Sequence, residues 1–79
     1  MTRSEILQKI TEILSDVLDE PDLKLTEASV SDDVPDWDSI NHVKLIIGLE
    51  NDLKIRFEPE EITGLATVGD LIDLIQKKL

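Results

Sequence analysis

Apolar residues recur at helical spacing in three stretches of this chain. Ile6, Ile10, Ile13, Leu14, Val17 and Leu18 make one stripe, which predicts a helix from about Arg3 to Leu18. Thr2 and Glu5 form a capping-box pattern at its start, and Pro21 forbids its continuation. Ile40, Val43, Ile46, Ile47, Leu49 and Leu53 predict a second helix from about Ser39 to Leu53, with Asp38 as its N-cap. Gly48 costs that helix about 1 kcal/mol relative to alanine. It marks either a close approach by another helix or a weak helix position. Glu58-Pro59-Glu60-Glu61 opens a short third helix, with Ile62 and Leu65 facing inward and Gly64 ending the turn. Thr67, with Asp70 as capping-box partner, opens a fourth, whose stripe is Val68, Leu71, Ile72, Ile75 and Leu79. Lys77 and Lys78 suit the negative end of that helix.

Residues 19–37 lack any sustained period. Leu23, Leu25, Ala28, Val30, Val34 and Trp37 are scattered among acids there. So long a connection is unusual in a small domain. It reads as an ordered loop pinned by its apolar residues, with a short turn near Glu27–Val30. Pro35 biases Val34 away from helix. Trp37 packs as an anchor beside Ser39 with its indole N–H near the surface. Lys54-Ile55-Arg56-Phe57 alternates like a strand, but a single short strand has no partner. It reads as a connector whose Ile55 or Phe57 plugs the core. The expected architecture is all-α, a single domain over 1–79, with three longer helices, one short helix and a long first loop. A chain of 79 residues supports one small core of modest stability.

Charge adds a direction to this picture. The net charge is −10. Residues 1–18 carry three acids and two bases, residues 19–38 eight acids and one base, and residues 39–79 seven acids and five bases. The loop before Ser39 is therefore the negative pole. It repels nucleic acid and steers a basic partner towards itself, besides keeping a small protein soluble. No cysteine is present, so there is no disulfide framework or thiolate metal site, and any thiol must arrive on a cofactor. Met-Thr-Arg-Ser-Glu lacks the apolar run of a signal peptide, and no stretch is long and apolar enough for a membrane span. A cytoplasmic location without membrane insertion is the expectation.

Trp37-Asp38-Ser39-Ile40-Asn41-His42 holds the candidate chemistry. It sets a serine where the acidic loop becomes helix, at the positive end of the helix dipole. Free N–H groups there favour a negative ligand such as a phosphate ester. Asp38, Ser39 and His42 do not make a hydrolase, because neighbouring residues on one surface helix supply neither a cleft nor an oxyanion hole. No catalytic residue is expected. A calcium loop beginning at Asp32 fails on spacing, since its sixth position is Trp37 and its twelfth Val43. No metal site is expected. His42 reads either as a solvated surface residue or as a contact for a partner or a phosphate.

On Asp38-Ser39-Ile40, with an acidic loop before it and an amphipathic helix after it, the chain resembles the acyl carrier proteins along essentially its whole length. The resemblance implies a four-helix bundle, with 4'-phosphopantetheine from coenzyme A attached covalently to Ser39 and Asp38 helping to present that serine. It implies an acyl pocket lined by Leu49, Phe57, Ile62, Leu65 and Leu71, each of which also reads as plain core. It implies a docking surface of Ile40, His42, Lys44, Ile47 and Glu50. The partners it implies are a phosphopantetheinyl transferase, an acyl-loading enzyme, and a ketosynthase or other acyl-processing enzyme, all met by a monomer. Acyl groups would travel as thioesters for fatty-acid, polyketide or related specialised biosynthesis.

One departure narrows this. The second helix of fatty-acid carriers is usually rich in acids, whereas this one exposes Asn41, His42, Lys44, Glu50, Asn51 and Asp52. Lys44 puts a positive charge on a surface that is normally negative, which points to a specialised stand-alone carrier. An aminoacyl or peptidyl carrier stays open beside it. So does a cofactor-free helical module acting through its acidic loop.

Overall fold

The computed structural model describes residues 1–79 and is wholly helical. Helix α1 spans Arg3–Leu18, α2 Ser39–Leu53, α3 Pro59–Thr63 and α4 Val68–Lys78, with a 3-10 turn at Ser31–Asp33 in the long first loop. The three longer helices begin where their capping residues predict. Thr2 Oγ1 accepts the Glu5 N–H at 3.2 Å and Glu5 returns a bond to the Thr2 N–H at 2.8 Å. Asp38 accepts from the Asn41 N–H at 2.9 Å, and Thr67 from the Asp70 N–H at 3.1 Å. Helices α1 and α2 end on Asp19 and Lys54 in the left-handed region, at φ 53° and 58°. Gly64 closes α3 at φ −86°, so its glycine freedom is not used there. No helix is long and apolar enough to cross a membrane.

α1 packs against both α2 and α4. The core joins Ile6, Ile10 and Leu14 of α1 to Leu45, Ile46 and Leu49 of α2 and to Val68, Leu71, Ile72 and Ile75 of α4. Leu25, Trp37 and Phe57 reach it from the connections. Phe57 is thus the connector's plug, with Ile55 only partly buried. Gly48 sits at a close approach: a Cβ there would lie 2.7 Å from Ile13 Cγ2 on α1.

The inward row of α2 differs from the expected stripe. Leu45 is fully buried, whereas Ile40, Val43 and Ile47 are 69%, 52% and 50% exposed. α2 is apolar on two sides, and only the side carrying Leu45, Ile46 and Leu49 enters the core, where α1 packs against the helix. Leu79, expected on the α4 stripe, is also exposed, because it lies beyond the last helical turn.

The first loop is ordered by α4. The Val68 N–H donates to the Ser29 carbonyl at 2.9 Å and the Gly69 N–H to the Glu27 carbonyl at 2.8 Å. Two orphan donors of the α4 start are thereby satisfied by the loop. A Cβ on Gly69 would come within 3.0 Å of that Glu27 oxygen. Arg3 draws the same segment to both terminal helices: it bonds Glu27 at 2.6 Å, and Asp73 and Gln76 on α4. Its bonds hold the Glu27 carboxyl below the usual carboxylate range.

Glu27 is the one acid of residues 19–38 that forms an ion pair; the other pairs are Arg3–Asp73, Lys9–Asp52 and Lys78–Glu61. The remaining loop acids repel one another over distances near the Debye length, about 10 Å at 0.1 M salt. Sodium chloride or a divalent cation is therefore expected to raise the melting temperature. A melting temperature flat across a salt series would show that this repulsion is already compensated.

Candidate functional site

The site begins with a tight corner. Asp36 takes φ 69°, a left-handed value that Asp tolerates better than most side chains. Its carbonyl accepts from the Asp38 N–H at 2.9 Å and from Asn41 Nδ2 at 2.7 Å. Asn41 therefore braces from α2 the turn that delivers Asp38 and Ser39. Sequence reasoning passed over it as an exposed polar residue; its position three residues after the cap was the available signal.

Ser39 is exposed at the first position of α2, and its hydroxyl makes no hydrogen bond within the chain. Of the four orphan N–H groups at this helix start, Asp38's goes to the Asp36 carbonyl at 2.9 Å and Asn41's to the Asp38 carboxylate. Those of Ser39 and Ile40 remain open. A phosphodiester on Ser39 Oγ would meet two free donors and the positive end of the α2 dipole. The residues present thus fit such a group.

Ser39 stands at a groove of about 530 Å³ lined by Ser31, Asp32, Trp37, Asp38, His42, Val43, Ile62, Thr63 and Leu65. A larger groove, about 630 Å³, lies between α1 and the first loop around Leu7, Thr11 and Leu23 and contains none of the site residues. The smaller one matters here because a group joined to Ser39 can enter it. Of the five candidate pocket residues, Ile62 and Leu65 line the Ser39 groove. Leu49, Phe57 and Leu71 do not line it and belong to the closed core, 0%, 8% and 2% exposed.

Among the candidate docking residues, Ile40 and Ile47 are exposed, and Val43 joins them in one row at i, i+3 and i+7. Lys44 is exposed beside that row and forms no ion pair. Glu50 is turned inward instead, accepting the Phe57 N–H at 2.9 Å. His42 is not a solvated surface residue. It is partly buried, and its Nδ1 accepts from Trp37 Nε1 at 3.2 Å. The two rings lie 5.9 Å apart, tilted by 34°. Burial pushes the imidazole below its usual pKa. Trp37 itself is buried, as its anchoring role requires.

The bundle thus presents the unbonded Ser39 hydroxyl at a helix start beside a part-apolar groove, where an attached group would find room. Comparison with known proteins agrees. The phosphopantetheine attachment site family matches residues 8–75. The acyl carrier protein of Thermosynechococcus vestitus is 38% identical over 80 residues, covering 100% of this chain and 98% of that one. A meromycolate extension acyl carrier protein of Mycobacterium leprae is 36% identical over 78 residues, covering 98% of this chain and 67% of its own. The solution structure of a holo acyl carrier protein from Geobacter metallireducens superposes with a TM-score of 0.83 at 40% identity, over 91% of this chain and 83% of that one. The chain belongs to the phosphopantetheine-bearing acyl carrier protein family. Membership removes the cofactor-free interaction module from consideration.

Proposed function

We propose that Ser39 bears the phosphopantetheine arm and that this carrier serves a dedicated acyl pathway rather than bulk fatty-acid synthesis. The observation that carries the attachment is the exposed, unbonded Ser39 hydroxyl with two open N–H groups beside it. When bound, the arm supplies a terminal thiol that holds the acyl group as a thioester. Ser39 Oγ would form the phosphodiester by breaking the pyrophosphate bond of coenzyme A, releasing its nucleotide half and giving up its own proton to the modifying enzyme. Asp38 holds the helix start rigid for that enzyme, and Asn41 holds the corner before it. Ile62 and Leu65 offer apolar cover to whatever enters the groove. A flexible tether then raises the effective concentration of cargo at each partner site.

The chain itself catalyses no step in this reading. Its one histidine is oriented by Trp37 and not by a carboxylate, so the ordered base of a hydrolytic triad is missing at Ser39. Incubation with coenzyme A and a phosphopantetheinyl transferase tests the attachment. Intact mass should show one added arm, and peptide mapping should place it on Ser39. An arm mapped to any other residue would sink the assignment.

Lys44 supports the dedicated role. It stands beside the exposed row Ile40, Val43 and Ile47, so a partner covering that row meets its charge. Against a basic enzyme surface, Lys44 opposes docking and acts chiefly on association rate. A charge pair about 4 Å apart in water is worth roughly 1 kcal/mol, or about five-fold. Lys44→Glu replaces that repulsion with an attraction, a change of roughly 2 kcal/mol, and is expected to raise kcat/KM of the holo carrier with a fatty-acid ketosynthase or a malonyl-loading transferase by up to about thirty-fold, with unchanged circular dichroism. His42 is better left intact in this test, because it also holds Trp37. If the native protein already matches a housekeeping carrier with those enzymes, the dedicated role fails.

A further inference from the structure

Trp37 and His42 form a bonded pair at the edge of the Ser39 groove, and the pair settles the imidazole's tautomer. An indole N–H only donates. His42 Nδ1, which receives it at 3.2 Å, must therefore be the unprotonated nitrogen, and the ring proton of the neutral form sits on Nε2. No side-chain nitrogen or oxygen of the protein is both buried and unpartnered, so Nε2, which has no partner, reaches solvent. His42 lies one turn after Ser39, and helical side chains lean towards the preceding turn. Residues at i and i+3 have Cβ atoms about 5–6 Å apart. A phosphodiester on Ser39 Oγ falls within that reach.

We propose that Trp37 makes His42 a fixed N–H donor to the phosphodiester at Ser39, so that the pair positions the first segment of the attached arm at the groove. This rests on Ser39 being the attachment site. The neutral imidazole donates through Nε2 while Nδ1 stays with Trp37, and the diester's charge opposes the burial that otherwise favours the neutral ring. The charged side chains sharing the groove are Asp32 of the 3-10 turn and Asp38 of the α2 cap; α3 brings only Ile62 and Thr63 to it. Lys44 is two positions further along α2, exposed and outside the groove lining. His42 is therefore a positioning residue, a role that sequence reasoning held only as one of three readings.

The test compares apo protein with holo protein whose arm has been mapped to Ser39 by mass. Nitrogen and proton signals of the His42 ring, and the phosphorus signal of the holo form, are followed from pH 5 to 8. A phosphodiester does not itself titrate there, and histidine is the side chain expected to change charge in that window. The expected apo result is a ring protonated on Nε2 above its midpoint. On attachment the midpoint should rise by about half a unit, the size of one charge roughly 5 Å away in water. The phosphorus signal should inflect at the same pH, and the inflection should vanish in His42→Gln. Inorganic phosphate added to the apo protein should leave the midpoint unchanged. A holo midpoint equal to the apo one with a flat phosphorus signal would overturn the proposal, as would an apo ring protonated on Nδ1. An equal rise with free phosphate would overturn it too, by showing a general anion effect. Failure of the attachment itself would appear earlier and separately, as no arm on Ser39.

Discussion

Ser39→Ala should accept no phosphopantetheine at all while melting within about 4 °C of the native protein. The two halves of this expectation come from different features of one residue. The hydroxyl makes no internal hydrogen bond and is exposed, so its removal breaks nothing in the fold. Asp38, not Ser39, is the cap that accepts the Asn41 N–H, so the helix start survives. Alanine is also the best helix former, and exposed substitutions of this kind usually shift stability by less than about 0.5 kcal/mol. The melting temperature is therefore the control that separates loss of the nucleophile from loss of structure. Asp38→Ala should behave the other way, accepting the arm poorly and losing about 1 kcal/mol with the cap. An arm retained by Ser39→Ala would place the attachment elsewhere and end the reading of this site.

Leu45→Ala should be, with Leu49→Ala, among the most damaging single truncations on α2, although it lies away from the groove. Leu45 is fully buried, in the core shared with α1 and α4. Truncating such a leucine costs about 2–5 kcal/mol, depending on how far the cavity collapses. A domain of this length has a total stability of roughly 4–12 kcal/mol. The melting temperature should fall by roughly 8–40 °C, at about 4–8 °C per kcal/mol. Val43→Ala, two residues earlier and 52% exposed, should barely move it. The same variant should still weaken docking if the row Ile40, Val43 and Ile47 meets partner enzymes. Thermal melts of the two variants side by side decide the matter: comparable losses would mean that both rows of α2 are structural.

Much of this protein is legible in its sequence. Capping chemistry is local, so Thr2, Asp38 and Thr67 set the starts of α1, α2 and α4 by bonds reaching only three residues along the chain. Pro59 and its neighbouring acids did the same for the short α3. The Asp-Ser pair at the head of α2 needed only that local information to stand out. Tertiary packing decided which face of α2 turned inward. Leu45, Ile46 and Leu49 on one side and Ile40, Val43 and Ile47 on the other both satisfy helical periodicity. Periodicity states that a row exists, not which row a neighbour covers; α1 made that choice, and Gly48 let it come close. Packing likewise sent Leu49 and Leu71 into the closed core and left Ile62 and Leu65 at the groove. The long loop owes its order to carbonyls of Glu27 and Ser29 meeting N–H groups at the start of α4, some forty residues away in the chain. His42 became the partner of Trp37 because the corner at Asp36 folds the indole back onto α2. Such bonds join residues whose nearness exists only once the chain has folded, so no local pattern announces them.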